Sequence, residues 1–230
     1  MLAVGASDAA ARTAALEELC STYWYPLYSY LRRSGRNADD AADLVQQFFA
    51  LLLERRDLER ADPTRGRFRS WLLTALRNFA ANDRERQRAL KRGGGRAPRS
   101  FDAERADSRY ASEPADRHSP EQHFERAWAQ SVLERALERL AQEQARIGRS
   151  AHFDALLPAL SEQHDCEPHA AVAQRLGVSE NALKVALHRL RKRLGELVRD
   201  EVAATLSDPS ELDDELGRLF EALRSPTERR

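Results

Sequence analysis

The chain has 230 residues, of which 32% are charged, and its 37 basic and 37 acidic residues give a formal net charge of zero. No stretch approaches the roughly 20 apolar residues that a membrane-spanning helix needs, and the first residues lack the pattern of a secretory signal. Two cysteines far apart in the sequence exclude a disulfide scaffold, and the sequence predicts a cytoplasmic protein.

The balanced charge is distributed very unevenly along the chain. Residues 65–105 carry twelve basic and four acidic side chains, a net charge of +8, and residues 175–199 carry seven basic and two acidic ones, a net charge of +5. Residues 200–223 reverse the sign, with eight acidic side chains and one arginine. Such segregation indicates separate surfaces for separate partners, although the solvated helix faces of an ordinary protein would also contain charged runs.

Abundant Ala, Leu, Arg and Glu and scarce β-branched residues predict an all-α fold. The first helix is predicted from Asp8 to Arg33, interrupted or kinked at Pro26. A second helix follows Asn37 and continues to about Arg60. After the loop ADPTRGR, a third helix is predicted over residues 68–92.

A glycine triplet, residues 93–95, ends the third helix, and the charged, proline-containing stretch after it predicts a flexible linker. Ser119 and Pro120 then begin a new helix, and a shorter helix follows from Ser150. Two further helices flank residues 176–179, and Asp208 caps a last, acidic helix. We therefore predict two helical lobes, with the boundaries 8–92 for the first domain, 93–119 for the linker, 120–204 for the second domain and 205–230 for the acidic tail.

The second helix has one apolar and one polar face. Helical spacing predicts packing for Ala41, Leu44, Val45, Phe48 and Leu52. Asp40, Asp43, Gln46 and Gln47 lie on the other side. The favourable interaction of acidic side chains with a helix N-terminus would by itself explain Asp39 and Asp40.

The pattern D-A-x-D-L-V-Q-x-x-F, from Asp40 to Phe49, resembles the core-binding helix of bacterial RNA polymerase sigma factors, with Ala42 in place of the common glutamate. The short two-lobe layout is similar to the extracytoplasmic-function (ECF) branch of that family, and it implies a sigma2-like bundle and a sigma4-like helix-turn-helix lobe. The resemblance also implies docking on the β′ clamp helices of core polymerase, with the β flap as a second contact. The implied core-binding residues are Asp40, Asp43, Gln46, Gln47 and Phe49.

The third helix carries a predicted packing side of Phe68, Trp71, Leu72, Ala75 and Phe79. Its basic residues, Arg69, Arg77, Arg84, Arg88 and Lys91, are spaced to share another side, which suits phosphates or plain solvation. The pattern R-x-W-L…R-N resembles the ECF promoter-melting segment, which holds the non-template strand of the minus-ten element with a flipped base. The resemblance implies DNA contacts by Pro63, Thr64, Arg65, Arg67, Arg69, Arg77, Asn78, Asn82, Arg84 and Arg88.

The stretch PHAAVAQRLGVSENALKVALHRLRKRL has helix-turn-helix spacing. In it we expect packing by Ala170, Val172 and Ala173, a tight turn at Gly177 and a cap at Ser179. The second helix has a predicted buried ridge of Leu183, Leu187, Leu190 and Leu194. Its other side would face a major groove through Asn181, Lys184, Val185, His188 and Lys192, with phosphates in reach of Arg189, Arg191 and Arg193.

The register R-L-G-V-S…R-L-R-K-R-L resembles the lobe of ECF factors that reads the minus-thirty-five element. The resemblance implies upstream DNA contacts by Ser179, Asn181, Lys184, Val185, His188, Arg189 and Lys192. The acidic C-terminal helix lies outside this layout. It could pack on the C-terminal lobe, dock on polymerase or restrain the basic surfaces, and simple packing is the preferred interpretation.

No motif for chemistry accompanies these surfaces. HDCEPH, from His164 to His169, lacks the fourth ligand and fixed spacing of a zinc site, and no phosphate-loop or hydrolase motif occurs. We therefore predict no enzyme, metal or cofactor.

The predicted function is that of an ECF-type sigma factor that directs core RNA polymerase to promoters and assists melting, with an anti-sigma factor as a candidate regulator. The main alternative is a stand-alone helix-turn-helix regulator with an N-terminal sensing or dimerisation domain. An enzyme with a helical DNA-binding tail is a second alternative, for which the sequence offers no catalytic constellation.

Overall fold

A computed structural model describes residues 19–55, 68–89, 101–112, 118–160, 168–206 and 208–224. These described residues form nine α-helices and one short 3-10 helix, with no β-strand among them, which confirms the predicted all-α fold. None of their helices is long and apolar enough to cross a membrane. The helices are α1 (described over 19–33), α2 (Ala38–Arg55), α3 (Phe68–Ala89), α4 (Phe101–Ser112), α5 (Pro120–Arg146), α6 (Ser150–Leu160), α7 (His169–Arg175), α8 (Glu180–Ala203) and α9 (Leu212–Leu223), with the 3-10 helix at Pro209–Glu211.

The chain divides into two compact units, and the division differs from the predicted domains. The described residues up to Ser131 form the first unit together with those from Leu206 onward, and Val132–Thr205 forms the second. The boundary therefore falls within α5, and α9 belongs to the first unit. The predicted second domain, 120–204, also includes the part of α5 that belongs to the first unit.

Helix α1 provides a large part of the core of the first unit. Tyr23, Leu27 and Tyr28 are almost completely buried, and the helix continues without interruption through Pro26. It ends at Arg33, and Gly35 follows with a φ of +86° in the left-handed region that favours glycine. The N–H of Arg36 then donates to the Leu31 carbonyl at 3.0 Å, as in a Schellman motif.

Helix α2 has the packing face that its spacing predicts. Ala41, Leu44, Val45, Phe48 and Leu52 are all buried. Asn37 caps the helix, since its side-chain oxygen accepts from the Asp40 N–H at 2.8 Å and its amide nitrogen donates to the Asp40 carboxylate at 3.0 Å.

The predicted packing face of α3 is only partly correct. Leu72 is buried, but the exposure of Phe68, Trp71, Ala75 and Phe79 is intermediate. The buried positions instead follow the spacing i, i+3, i+4, i+7 and i+11 through Arg69, Leu72, Leu73, Leu76 and Ala80. The core-facing side of α3 is thus rotated relative to the predicted side, and an arginine lies on it.

Residues 101–112 correct the prediction of a continuous flexible linker, because they form α4. Ala106 is buried, and Asp107 accepts from the Tyr28 hydroxyl at 2.9 Å and pairs with Arg32. The Arg32 guanidinium also lies 4.4 Å from the ring centroid of Tyr110. Polar and cation–π contacts hold α4 against α1. Because these contacts need few apolar residues, the low apolar content of the stretch did not predict that it packs on the first unit.

The second unit is built from the C-terminal part of α5 and from α6, α7 and α8. Its core is apolar, with Leu140, Phe153, Leu156, Leu183, Leu187 and Leu197 among its buried side chains. This packing supports α7 and α8 and leaves one side of α8 exposed.

Candidate polymerase and nucleic-acid interfaces

Helix α2 presents an exposed polar surface, here called the acidic face of α2: Asp40, Asp43, Gln46 and Gln47. All four residues are exposed, while the opposite side of the helix is buried. The two carboxylates give this face a negative charge, and it can therefore bind a positively charged protein surface.

Phe49 does not belong to the acidic face, which corrects its assignment as a core-binding residue. Only 5% of Phe49 is exposed, and its ring centroid lies 6.0 Å from that of Phe48. The sequence spacing already indicated that Phe49 is buried. Phe49 is four residues after Val45 and three before Leu52, and both of these residues belong to the apolar face of α2.

Three of the predicted strand-binding residues of α3 form a second exposed surface, here called the polar face of α3: Arg77, Asn78 and Asn82. The Arg77 side chain is 57% exposed and has Glu121 at 3.6 Å, an exposed pair of small energetic value. The amides and the guanidinium together offer donors and acceptors for bases and phosphates. The other predicted strand-binding residues are not described. Residues 63–67 lie outside the described part of the chain, and so do the side chains of Arg84 and Arg88. The contacts predicted for Pro63, Thr64, Arg65, Arg67, Arg84 and Arg88 therefore stay predictions.

Arg69 is not on the polar face of α3, and its predicted contact with DNA does not fit its position. It is 3% exposed, its Nε atom lies 2.7 Å from Glu125, and it forms a second ion pair with Glu215. Its guanidinium carbon lies 4.2 Å from the ring centroid of Trp128. A search for apolar spacing would have found this arginine, because Leu72, Leu73 and Leu76 follow it at i+3, i+4 and i+7.

The helix-turn-helix is formed by α7 and the N-terminal half of α8, as its spacing predicts. Gly177 has φ +66° in the turn, where the Val178 N–H donates to the Ala173 carbonyl at 3.0 Å. The Ser179 side chain caps α8 by accepting from the Ala182 N–H at 3.2 Å. Val172 and Ala173 are buried as expected, but Ala170 is exposed and does not pack.

The outer side of α8 forms a third surface, here called the reading face of α8. All seven predicted upstream contacts are exposed: Ser179, Asn181, Lys184, Val185, His188, Arg189 and Lys192. Leu183, Leu187 and Leu190 form the buried ridge, whereas the exposure of Leu194 is intermediate. Exposed amide, imidazole and cationic groups can form hydrogen bonds with base edges in a major groove. Val185, which is 42% exposed, lies among them and can contact a thymine methyl group.

Acidic side chains modify the charge near the reading face. The Lys184 ammonium lies 2.8 Å from Glu180, and this hydrogen bond lowers the pKa of the Glu180 carboxyl. Arg193 pairs with Glu143 at 2.7 Å and with Glu196 at 2.9 Å, so its guanidinium is held toward protein carboxylates rather than offered to phosphates. The hydrogen bond from Arg193 also lowers the pKa of Glu143.

The His- and Cys-containing stretch provides no described metal site. Residues 164–167 lie outside the described part of the chain, and His169 begins α7. Within the part that the structure describes, no group of three or more His, Cys, Asp or Glu side chains could hold a metal ion.

Together, the described residues form an all-α fold with a helix-turn-helix whose exposed side is basic. Residues 21–90 match the family model for sigma-70 region 2, a segment that includes most of α1 and all of α2 and α3. This match supports a sigma-70 family factor, and region 2 implies binding to core RNA polymerase and promoter DNA, with a role in promoter recognition and melting. Comparisons with the curated proteins and with the solved structures gave no match.

Proposed function

We propose that the protein is a cytoplasmic ECF-type sigma factor whose three exposed surfaces have three different partners. The acidic face of α2 binds the β′ clamp helices of core polymerase, and the polar face of α3 with the preceding residues 63–67 captures the melted minus-ten strand. The reading face of α8 binds the minus-thirty-five element. The observation that carries the proposal is the open acidic face of α2 within the segment that matches region 2.

The acidic face is suited to a protein partner rather than to DNA. Asp40 and Asp43 would repel phosphates, and their exposure means that docking requires no unfolding of α2. Complementary charge across such an interface increases the association rate and the specificity of binding. Gln46 and Gln47 extend the face with uncharged donors and acceptors.

The polar face of α3 is suited to a strand that is already open. Asn78 and Asn82 can donate to and accept from base edges, and Arg77 can bind a phosphate. The protein performs no covalent step in this proposal. The free energy for melting comes from binding the single strand and from contacts with polymerase.

The reading face of α8 is suited to duplex DNA. The Ser179 cap begins α8 immediately after the turn, so Asn181, Lys184 and His188 follow on one exposed side. Recognition helices use side chains near their N-terminus to contact base edges in the major groove. Duplex binding by this unit would be salt-sensitive, because Lys184, Arg189 and Lys192 release counterions.

A pull-down with purified core polymerase tests the proposal. Asp40→Arg/Asp43→Arg reverses the charge of the acidic face, and we expect it to abolish retention. The matched control, Glu104→Arg/Asp214→Arg, makes the same charge change at two other exposed acids of the first unit and should bind normally. Normal binding by the Asp40/Asp43 variant would refute the docking assignment. Tight, specific duplex binding without polymerase would favour a stand-alone regulator instead.

A further inference from the structure

The acidic C-terminal helix α9 packs in the same unit as the proposed melting segment, although it lies more than 100 residues beyond the region 2 match. Its inward positions, Glu215 and Leu219, are one helical turn apart and are 2% and 1% exposed. Its outward positions include Asp213, Asp214 and Phe220, which are exposed. Helix α9 is therefore amphipathic, and one carboxylate lies on its buried side.

The buried carboxylate of Glu215 pairs with the buried guanidinium of Arg69, and both side chains are 3% exposed. Arg69 also pairs with Glu125 of α5 and stacks over Trp128. Three helices thus meet at the first turn of α3. Removing one partner of a buried pair leaves the other charge poorly compensated, so this junction has a strong preference for one arrangement.

Arg69 lies in the first turn of α3, which begins at Phe68. The polar face of α3 begins at Arg77, about two helical turns further along. Since a helix moves as a rigid element over such a distance, the position of the first turn determines where the polar face is presented. A displacement of the first turn would shift the polar face relative to a bound strand, and polar groups that end up imperfectly paired weaken binding.

We propose that α9 is a positioning element for capture of the melted promoter strand, and that Glu215 is its positioning residue through Arg69. This inference rests on the proposed function of α3. An open groove of about 310 Å³ lies beside this junction and is lined in part by Arg126, Glu221 and Arg224. The buried ion pair supplies the specificity of the docking.

The experiment uses the full chain assembled with core polymerase and compares two promoter probes: one with an unpaired minus-ten region and one fully duplex. Glu215→Gln removes the buried charge, and we expect it to weaken binding of the unpaired probe by roughly 2- to 30-fold. Affinity for core polymerase should stay within about twofold. Asp214→Asn makes the same charge change at the exposed neighbour and should leave both affinities unchanged.

Glu215→Asp provides a rescue test, because it retains the charge with a shorter reach. We expect its affinity for the unpaired probe to lie between those of Glu215→Gln and the wild type. Equal losses in core binding and in strand binding would show that α9 only stabilises the fold, and would overturn the proposal. Unchanged strand binding by Glu215→Gln would also overturn the proposal. Tighter strand binding by this variant would overturn it as well, because it would show that α9 restrains α3. A wild type that does not distinguish the two probes would instead refute the proposed function of α3.

Discussion

The Nε atom of Arg135 donates a hydrogen bond of 2.8 Å to Glu201, and Nη1 of Arg139 donates a second one of 2.7 Å to the same carboxylate. Two successive turns of α5 thereby hold the C-terminal end of α8. The Glu201 side chain is 5% exposed. Burial by itself would raise the pKa of Glu201, but the hydrogen bonds and charges of Arg135 and Arg139 outweigh it and lower the pKa.

We expect Glu201 to make the second unit sensitive to acid. Because its folded pKa is lower than the unfolded value, its contribution is complete above the unfolded pKa of about 4.5. That contribution is lost as the pH falls through the folded pKa. Glu201→Gln should lower the free energy of unfolding at pH 7 by about 3 kcal/mol. It should also make that free energy fall less steeply as the pH is lowered.

Urea unfolding followed by far-ultraviolet circular dichroism at pH 7, 5, 4 and 3 measures this effect. Tryptophan fluorescence reports on the first unit separately, because the second unit, Val132–Thr205, contains no tryptophan. Glu138→Gln, at an exposed position of α5, is the control and should match the wild type. An acid dependence identical in the wild type and in Glu201→Gln would contradict the assignment.

Gly177→Ala should destabilise the helix-turn-helix. Its φ of +66° costs about 1 to 2 kcal/mol for a residue with a side chain, although a Cβ there would meet no neighbouring atom. Gly195→Ala, in the interior of α8 with equally open surroundings, should stabilise by about 0.5 to 1 kcal/mol because alanine favours helix. Thermal unfolding of the two variants measures whether each substitution raises or lowers the stability. A change of stability in the same direction for both variants would be inconsistent with the turn geometry.

Phe49→Ala should reduce polymerase binding only through loss of folding. Phe49 is buried, and truncation of a buried phenylalanine costs about 3 to 5 kcal/mol. Gln47→Ala, at an exposed position on the acidic face, should instead keep its stability and weaken docking. Chemical denaturation and core-polymerase affinity, measured for both variants, separate the two effects. A stable Phe49→Ala variant that fails to bind would return Phe49 to the docking surface.

Glu180→Gln should strengthen binding of the upstream duplex. The Glu180 carboxylate lies 2.8 Å from the Lys184 ammonium and competes with phosphate for it. Removing this charge should raise affinity by roughly two- to fivefold at low salt, with a smaller gain at higher salt. Electrophoretic mobility shift at two salt concentrations measures the change. Glu211→Gln makes the same charge change in the first unit and is the control, and an equal gain there would indicate a net-charge effect only.

The sequence by itself determined the features that depend on neighbouring residues. Apolar spacing located the packing face of α2 and left Asp40 and Asp43 on the other side. The Gly177 and Ser179 signals located the turn and the start of α8, and the buried ridge followed from Leu183, Leu187 and Leu190. Each of these features is set within a few residues, because helix periodicity, capping and turn conformation are local.

Only the tertiary structure decided which charged side chains remain available to a partner. It buried Arg69 between Glu125 and Glu215, directed Arg193 toward Glu143, and held α4 through Asp107. It also placed α9 in the first unit. Apolar spacing can indicate that Arg69 is buried, but the partners in these contacts are far apart in the sequence, so periodicity does not identify them. The physical reason is that a buried charge is tolerated only beside an opposite charge, and the fold alone brings the two together.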